Sequence, residues 1–402
     1  MSFLNATLDR IRAPERRTMA VACGAHVLHD GYTDLLYVLL PLWQAQFGLD
    51  YAAVGLLRAL YVGAMAGFQI PAGSLAQRVG GPLVLGLGTA LAGIGYLTAG
   101  ASVGFWMLVG ALVIGGMGSA VQHPIAAHLV SRAFPGARSR QALAGYNFSG
   151  DLGKMAFPAA TAWLLTLMPW RAATSVIGIV GLVAAAAILA VRGLPGREAK
   201  PEAAAEQPEA AATPTSGRGF PLLLSVAMID SATRMGFLTF LPFLLQEQGA
   251  SLSTIGQALA LVFIGGAAGK FACGWLGARF GVLATVLLTE AGTAAAILAV
   301  LVLPLAGILM LLPVVGLLLN GTSSVLYGTV PELAPAGHTE KAFAIFYTGT
   351  IGASATAPIL FGVLGDAVGA HAAIVATAIT AAVILPLAFA LAPRLPATEP
   401  AR

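Results

Sequence analysis

The residues best placed for chemistry lie near the start of the chain, where His26, Asp30 and Asp34 follow one another at intervals of four. Four residues turn an α-helix by about 400°, so these side chains form one polar stripe on a helix. Burial makes the charged form of an aspartate costly, and histidine exchanges its proton near neutral pH. We therefore predict Asp30 as the main proton carrier, with His26 as its partner and Asp34 as a second carrier. A purely structural hydrogen-bonded cluster is the alternative.

Two pairs of opposite charge also lie within apolar segments. Asp151 and Lys154 are three residues apart, and Asp230 and Arg234 are four apart. At these spacings each pair can share one helix face. Each pair either neutralises itself, or its cation leaves its partner to hold an anionic substrate. With three further polar residues, the candidate substrate-binding residues are Lys154, Arg234, Lys270, His123, Asp151, Asp230 and Asn147.

Long apolar stretches must position these side chains. Of the 402 residues, 58% are hydrophobic and only 9% are charged, whereas soluble domains carry roughly 25% charged residues. Many stretches exceed the ~20 residues that cross a ~30 Å hydrocarbon core, where only helices satisfy their own backbone. The sequence predicts an all-α integral membrane protein with about twelve transmembrane helices. The predicted spans are 19–47, 52–77, 82–101, 104–130, 140–166, 171–192, 219–247, 253–277, 282–302, 305–331, 340–364 and 370–393.

Two more charged residues fall inside these spans. A charge near the bilayer centre costs at least ~2.5–3.5 kcal/mol, so each one needs a compensating contact. Arg58 lies near one end of its span, and we expect it to snorkel to water. Glu290 lies inside another span, and the sequence suggests no role for it.

The two halves of the chain repeat one another. A shift of 201 residues places Pro41 on Pro242, Arg78 on Arg279 and Gly80 on Gly281, among other matches. This repeat predicts two pseudo-symmetric six-helix halves, with a substrate site between them near mid-membrane. We place the halves at residues 1–192 and 219–402. Residues 193–218, rich in Ala, Pro and Glu, are predicted to form a disordered cytoplasmic linker.

The distribution of positive charge predicts the orientation of the chain. With the N-terminus inside, the segments predicted to face the cytoplasm hold 16 of the 21 lysines and arginines. Membrane proteins concentrate these residues on the cytoplasmic side. We therefore expect a multi-pass protein of the inner (plasma) membrane with both termini cytoplasmic. The net charge of +4 needs no nucleic-acid partner, and one chain suffices, so we expect a monomer.

A glycine-rich signature appears once in each half. It has the residues Gly73-Ser-Leu-Ala-Gln-Arg-Val-Gly80 and Gly274-Trp-Leu-Gly-Ala-Arg-Phe-Gly281. Both copies resemble the cytoplasmic loop signature of the major facilitator superfamily, although the usual aspartate is Gln77 or Ala278. The resemblance implies a conformational loop formed by Gly73, Arg78, Gly80, Gly274, Arg279 and Gly281.

Two other segments resemble one branch of that superfamily. His26-Val-Leu-His-Asp30 and Gly118-Ser-Ala-Val-Gln-His-Pro124 are similar to the first and fourth helices of the fosmidomycin-resistance-like branch. This resemblance implies proton-coupled movement of small, often anionic, organic molecules, commonly outward.

Secondary active transport of a small solute is therefore the predicted function, with proton-coupled export as the leading form. A proton-symport importer of a small metabolite or metal complex is the alternative; metal ligands would be His26, His29 and His123. The sequence has no His-box, no Ser-His-Asp arrangement and no phosphate loop, which argues against a membrane enzyme. A sensor would need a soluble output domain. We predict no enzymatic activity and no cofactor; the partners are lipid, protons and a small-molecule substrate.

Overall fold

The computed structural model describes residues 13–191, 194, 219–335 and 338–395, and every regular element among them is a helix. The predicted linker over 193–218 lies outside the described residues, apart from Leu194. The helices are α1 (Ala13–Phe47), α2 (Tyr51–Val79), α3 (Gly81–Gly100), α4 (Phe105–Ser119), α5 (Ala127–Ala133), α6 (Ala137–Leu167), α7 (Trp170–Ala190), α8 (Phe220–Glu247), α9 (Leu252–Val302), α10 (Leu305–Leu333), α11 (Thr339–Val368) and α12 (Ala370–Leu391). A π-helical segment, Gln122–Ala126, lies between α4 and α5.

Nine helices in the described chain are long and apolar enough to cross a membrane. One of them, α9, has 51 residues and breaks at Gly281, so it forms two spans. At about 1.5 Å per residue, an unbroken helix of this length would far exceed a ~30 Å core. The helices α1 and α6 also cross the membrane, although polar residues such as Asp30 and Lys154 interrupt their apolar runs. The described residues thus form twelve membrane-crossing segments, as predicted.

The same turns recur in both halves of the chain. Gly48 and Gly249 have φ angles of 62° and 79°, and Gly80 and Gly281 have φ angles of 102° and 80°. Both pairs are 201 residues apart. Positive φ is readily available only to glycine, so these residues fix the helix-to-helix turns. The repeat in the sequence is therefore a repeat in the backbone.

By its contacts the chain divides into two compact units. The first contains the described parts of Met1–Leu36 and Leu60–Glu202, and the second those of Tyr37–Ala59 and Ala203–Arg402. The hairpin between α1 and α2 therefore belongs to the second unit. Within this unit, the backbone amides of Tyr51 and Ala52 donate to the Asp366 carboxylate at 2.7 and 3.0 Å. This carboxylate satisfies amides in the first turn of α2, which have no partner in their own helix.

Glycines allow neighbouring helices to approach closely. In the second unit, Gly265 of α9 lies against the backbone carbonyl of Pro313. Gly316 of α10 lies against the carbonyl of Val262, and a Cβ at either glycine would overlap the facing oxygen. Helices in lipid associate through small residues, because lipid offers no hydrophobic gain for pairing. These glycines therefore set the distance between α9 and α10.

We expect Gly316→Ala to destabilise the protein by about 1–3 kcal/mol, because the added methyl group must push α9 and α10 apart. Gly328→Ala is the matched control in the same helix, since a Cβ at Gly328 has no atom within 4 Å. Alanine is favoured over glycine in helices by about 0.8–1.0 kcal/mol, so the control should not lower stability. The measurement is the thermal unfolding midpoint in detergent. Equal midpoints for the two variants would show that the close approach is unimportant.

Candidate functional site

Asp30 is the centre of a polar cluster in the first unit, although the residue is only 9% exposed. Its Oδ2 lies 3.4 Å from Nε2 of His26 and 3.4 Å from Nζ of Lys154. Its Oδ1 lies 3.9 Å from Nε2 of His123. We call these four residues the Asp30 cluster. It unites predicted proton-coupling and substrate-binding residues from α1, the π-helical segment and α6.

Two glycines of α6 make room for this cluster. A Cβ at Gly150 would lie 2.6 Å from His26 Nε2 and 2.7 Å from Asp30 Oδ2. A Cβ at Gly153 would overlap the carbonyl oxygen of Val27 in α1. Three residues apart, the two glycines share one face of α6, so that face packs directly on the α1 backbone. Lys154 follows at once and reaches Asp30 because the helices are so close.

The π-helical segment positions His123. It spans Gln122–Ala126 and contains Pro124, whose ring nitrogen cannot donate a helical hydrogen bond. Single π turns of this kind occur frequently at functional sites. The His123 side chain is 48% exposed, whereas Gln122 is buried and its Nε2 donates to the Tyr146 hydroxyl at 3.1 Å. The segment thus exposes the His123 side chain and anchors the Gln122 side chain inside the protein.

His26 has a defined tautomer. Its Nδ1 lies 2.8 Å from the backbone carbonyl oxygen of Tyr146, which only accepts, so Nδ1 carries a hydrogen. A neutral ring then has a lone pair at Nε2, facing an Asp30 oxygen that is also an acceptor when ionised. A hydrogen bond across that 3.4 Å gap therefore requires one added proton, either on His26 or on Asp30. The Tyr146 ring stacks on the imidazole with centroids 4.2 Å apart and holds it in this orientation.

His29 has a structural role instead. Its Nε2 lies 3.0 Å from the Thr89 hydroxyl and its Nδ1 lies 3.3 Å from the Ser119 hydroxyl. The Tyr61 hydroxyl lies 2.8 Å from the same serine oxygen. Both ring nitrogens of His29 thus make hydrogen bonds. His29 is therefore not available as a ligand in the alternative metal site of His26, His29 and His123.

A different set of three could hold a metal ion by geometry alone. Ligand atoms of His26, Asp30 and His123 lie within 4.8 Å of one another. Imidazole and carboxylate groups are common ligands of zinc and related ions. However, the Lys154 ammonium already lies 3.4 Å from the same carboxylate, and a metal cation there would meet a like charge. The cluster is better suited to a proton than to a metal ion.

Asp230 and Arg234 belong to a separate group in the second unit. Asp230 is 3% exposed, and its carboxyl group is hydrogen-bonded to that of Glu290 on α9. Arg234 acts on both acids through its charge. The predicted pair is thus part of a larger buried group, and Glu290 has a structural context that the sequence did not suggest.

Of the other predicted residues, Asp34 and Asp151 are buried, at 6% and 7% exposed, whereas Asn147 and Lys270 are exposed. In the signature, Gly80 and Gly281 form the turns. The remaining signature residues lie in the helices before those turns: Gly73, Arg78, Gly274 and Arg279.

The expectation that Arg58 snorkels to water is wrong, because the residue is 2% exposed. Its Nη2 donates to the Tyr37 hydroxyl at 3.1 Å, and its guanidinium lies 4.9 Å from the centre of the Tyr37 ring. A hydrogen bond and a cation–π contact thus replace water. The partner is on α1, so the position of Arg58 along α2 could not reveal it.

Sequence reasoning missed Tyr146, Gln122, Gly150 and Gly153 as parts of the site. Gly150 and Gly153 carried a usable signal, since residues three apart share one helix face and small residues are enriched where membrane helices pack closely. Tyr146 carried none, because its carbonyl and its ring both contact a histidine that is 120 residues earlier, on another helix.

Comparison with known proteins agrees with this architecture. The family model of the Major Facilitator Superfamily (MFS) matches residues 22–229 and 222–402. An uncharacterized MFS-type transporter of Mycobacterium tuberculosis is 28% identical over 152 residues, which are 37% of this chain and 26% of that relative.

Solved structures show the same fold. A bacterial homologue of the human lysosomal transporter Spinster, in an inward-facing and occupied conformation, has a TM-score of 0.76 and 16% identity. The match covers 96% of this chain and 100% of that one. Its inward-facing and unoccupied conformation also gives a TM-score of 0.76 at 16% identity, covering 96% of this chain and 98% of that one. At this identity the likeness concerns the fold alone, while the family model spans nearly the whole sequence. The chain therefore belongs to the Major Facilitator Superfamily of membrane transporters.

Proposed function

We propose that this protein is a proton-coupled secondary active transporter that moves a small organic anion across the inner membrane by alternating access. The observation that carries the proposal is the His26–Asp30 contact. Because the Tyr146 carbonyl fixes the hydrogen of His26 on Nδ1, the contact between Nε2 and Asp30 is a place where one proton binds. Four groups that respond to protonation or charge therefore meet at one point in the first unit.

Lys154 links the proton to the substrate. When Asp30 is ionised, the Lys154 ammonium at 3.4 Å balances its charge. When Asp30 takes up a proton, that attraction is lost, and the 32%-exposed lysine side chain can bind an anion. His123, with a 48%-exposed side chain, offers a second hydrogen-bond donor beside it. Proton and anion then bind together, which favours their movement in the same direction.

Proton-exchange export is the second candidate. It follows from the resemblance to the fosmidomycin-resistance-like branch, to which we propose that the chain belongs. Two segments carry that resemblance: His26-Val-Leu-His-Asp30 and Gly118-Ser-Ala-Val-Gln-His-Pro124. Exchange requires the proton and the substrate to compete for one group. They would compete if a cationic group of the substrate replaced Lys154 at Asp30. Symport and exchange change the internal pH of a vesicle in opposite directions when substrate enters it.

Asp30→Asn should abolish substrate-driven proton movement, because the amide cannot take up a proton as the carboxylate does. The assay uses proteoliposomes with an internal pH dye and a panel of small organic anions, phosphonates included. Asp50→Asn is the control, since Asp50 is exposed and the amide oxygen can still accept from the Ala53 backbone N–H, as Asp50 Oδ1 does at 2.7 Å. Proton movement that survives in Asp30→Asn would remove Asp30 from the mechanism.

Lys154→Gln should weaken anion binding by about 10–100-fold, since a hydrogen bond to a charged group contributes about 1.5–3 kcal/mol. Lys154→Arg should retain much of the affinity, because it keeps the cation. The dissociation constant of the transported anion is the readout, and Lys341→Gln, an exposed lysine on α11, is the control. Equal affinities for Lys154→Gln and the control would rule out the proposed anion contact.

We also propose that both termini face the cytoplasm and that the monomer is the working unit. The basic residues support the orientation, since positive charge collects on the cytoplasmic side of membrane proteins. Reporter fusions at the C-terminus should be active only as a cytoplasmic reporter. A fusion after Leu303, in the connection between α9 and α10, should be active only as a periplasmic one. The reverse pattern would invert the proposed topology.

A further inference from the structure

Two buried acids of the second unit take no part in the proposed function. Asp230 of α8 is 3% exposed and Glu290 of α9 is 1% exposed, yet their side chains are hydrogen-bonded to each other. Oxygens of ionised carboxylates only accept hydrogen bonds. A hydrogen bond between two carboxyl groups therefore requires a proton on one of them. We infer that Asp230 and Glu290 share a bound proton and form a second proton-binding site, independent of Asp30.

The charges around the pair favour one bound proton. Arg234 supplies a positive charge beside both acids, and the Cys273 thiol is also near them. One proton leaves one carboxylate, one carboxylic acid and one guanidinium, so the group is neutral. Without a proton the group would carry a net negative charge, and adjacent carboxylates resist ionising together. Burial penalises any net charge, so the neutral form with one proton is preferred.

The internal repeat provides an independent comparison. The 201-residue shift places Asp230 on His29 and Glu290 on Thr89. In the first unit those residues make a hydrogen bond of 3.0 Å that needs no net charge. This position between the two helices therefore accepts an uncharged pair, so packing alone does not explain two acids in the second unit.

Unsatisfied polar atoms near the acids also point to a ligand. The Thr293 hydroxyl and Arg234 Nε are buried without a hydrogen-bond partner among the described residues. Thr293 is 1% exposed and lies three residues after Glu290, on the same face of α9. Groups of this kind bind ordered water in proteins, and water is the route by which a proton reaches a buried acid.

Infrared spectroscopy of the whole protein in nanodiscs tests this inference, because protonated and ionised carboxyl groups absorb differently. The wild type should show a protonated-carboxyl band at neutral pH, and its absence would overturn the inference without any variant. Glu290→Gln and Asp230→Asn should each remove the intensity of one protonated carboxyl, since Arg234 can neutralise the remaining acid. The double variant should lose no more than either single one.

Two controls separate this site from the Asp30 cluster and from general effects. Glu247→Gln, an exposed acid at the end of α8, should leave the band unchanged. Glu290→Gln should remove the same band intensity when it is made in an Asp30→Asn background. The result therefore does not depend on the proposed transport mechanism. An unchanged band in both Glu290→Gln and Asp230→Asn would show that the pair holds no proton.

Discussion

The burial of the Asp30 carboxylate is the constraint on which the first unit depends. A lone charge at this depth would oppose membrane insertion, so the protein must supply partners for it. Lys154 provides a positive charge, and His26 provides a ring nitrogen whose state is set by a backbone carbonyl. These contacts exist only because Gly150 and Gly153 bring α6 against α1. Together, α1, α6, the two glycines and the π-helical segment supply the partners that the buried Asp30 carboxylate needs.

Much of the fold could be predicted from the sequence, because its signals are local. Apolar length indicates a span whatever the span packs against, and the 201-residue repeat locates Gly80 and Gly281 before any contact is known. The stripe of His26 and Asp30 was also predictable, since spacing along one helix determines which side chains share a face. Each of these inferences needs only one segment of chain.

The remaining features depend on contacts between helices, which spacing along one helix does not encode. Asp151 is the neighbour of Lys154 along α6, but the structure places the lysine against Asp30 of α1. Glu290 had no partner within its own span, and its partner Asp230 is sixty residues earlier on another helix. Arg58 was misjudged for the same reason. A single sequence therefore identified which residues need partners, but not which partners they have.

The two halves share a backbone plan but differ in where they place charge. Under the 201-residue shift Asp30 corresponds to Ser231. From α4 onward the shift is 200 residues, as the helix prolines Pro158 and Pro358 show, so His123 and Lys154 correspond to Ser323 and Ser354. None of these three serines is charged. Conversely, the acids Asp230 and Glu290 replace the uncharged contact of His29 with Thr89. Duplication preserved the glycine turns because the backbone requires them, whereas the buried polar positions were free to diverge once neutral packing sufficed. A buried charge that persists in only one half is therefore not a requirement of the fold, and its explanation must be sought in what that half binds.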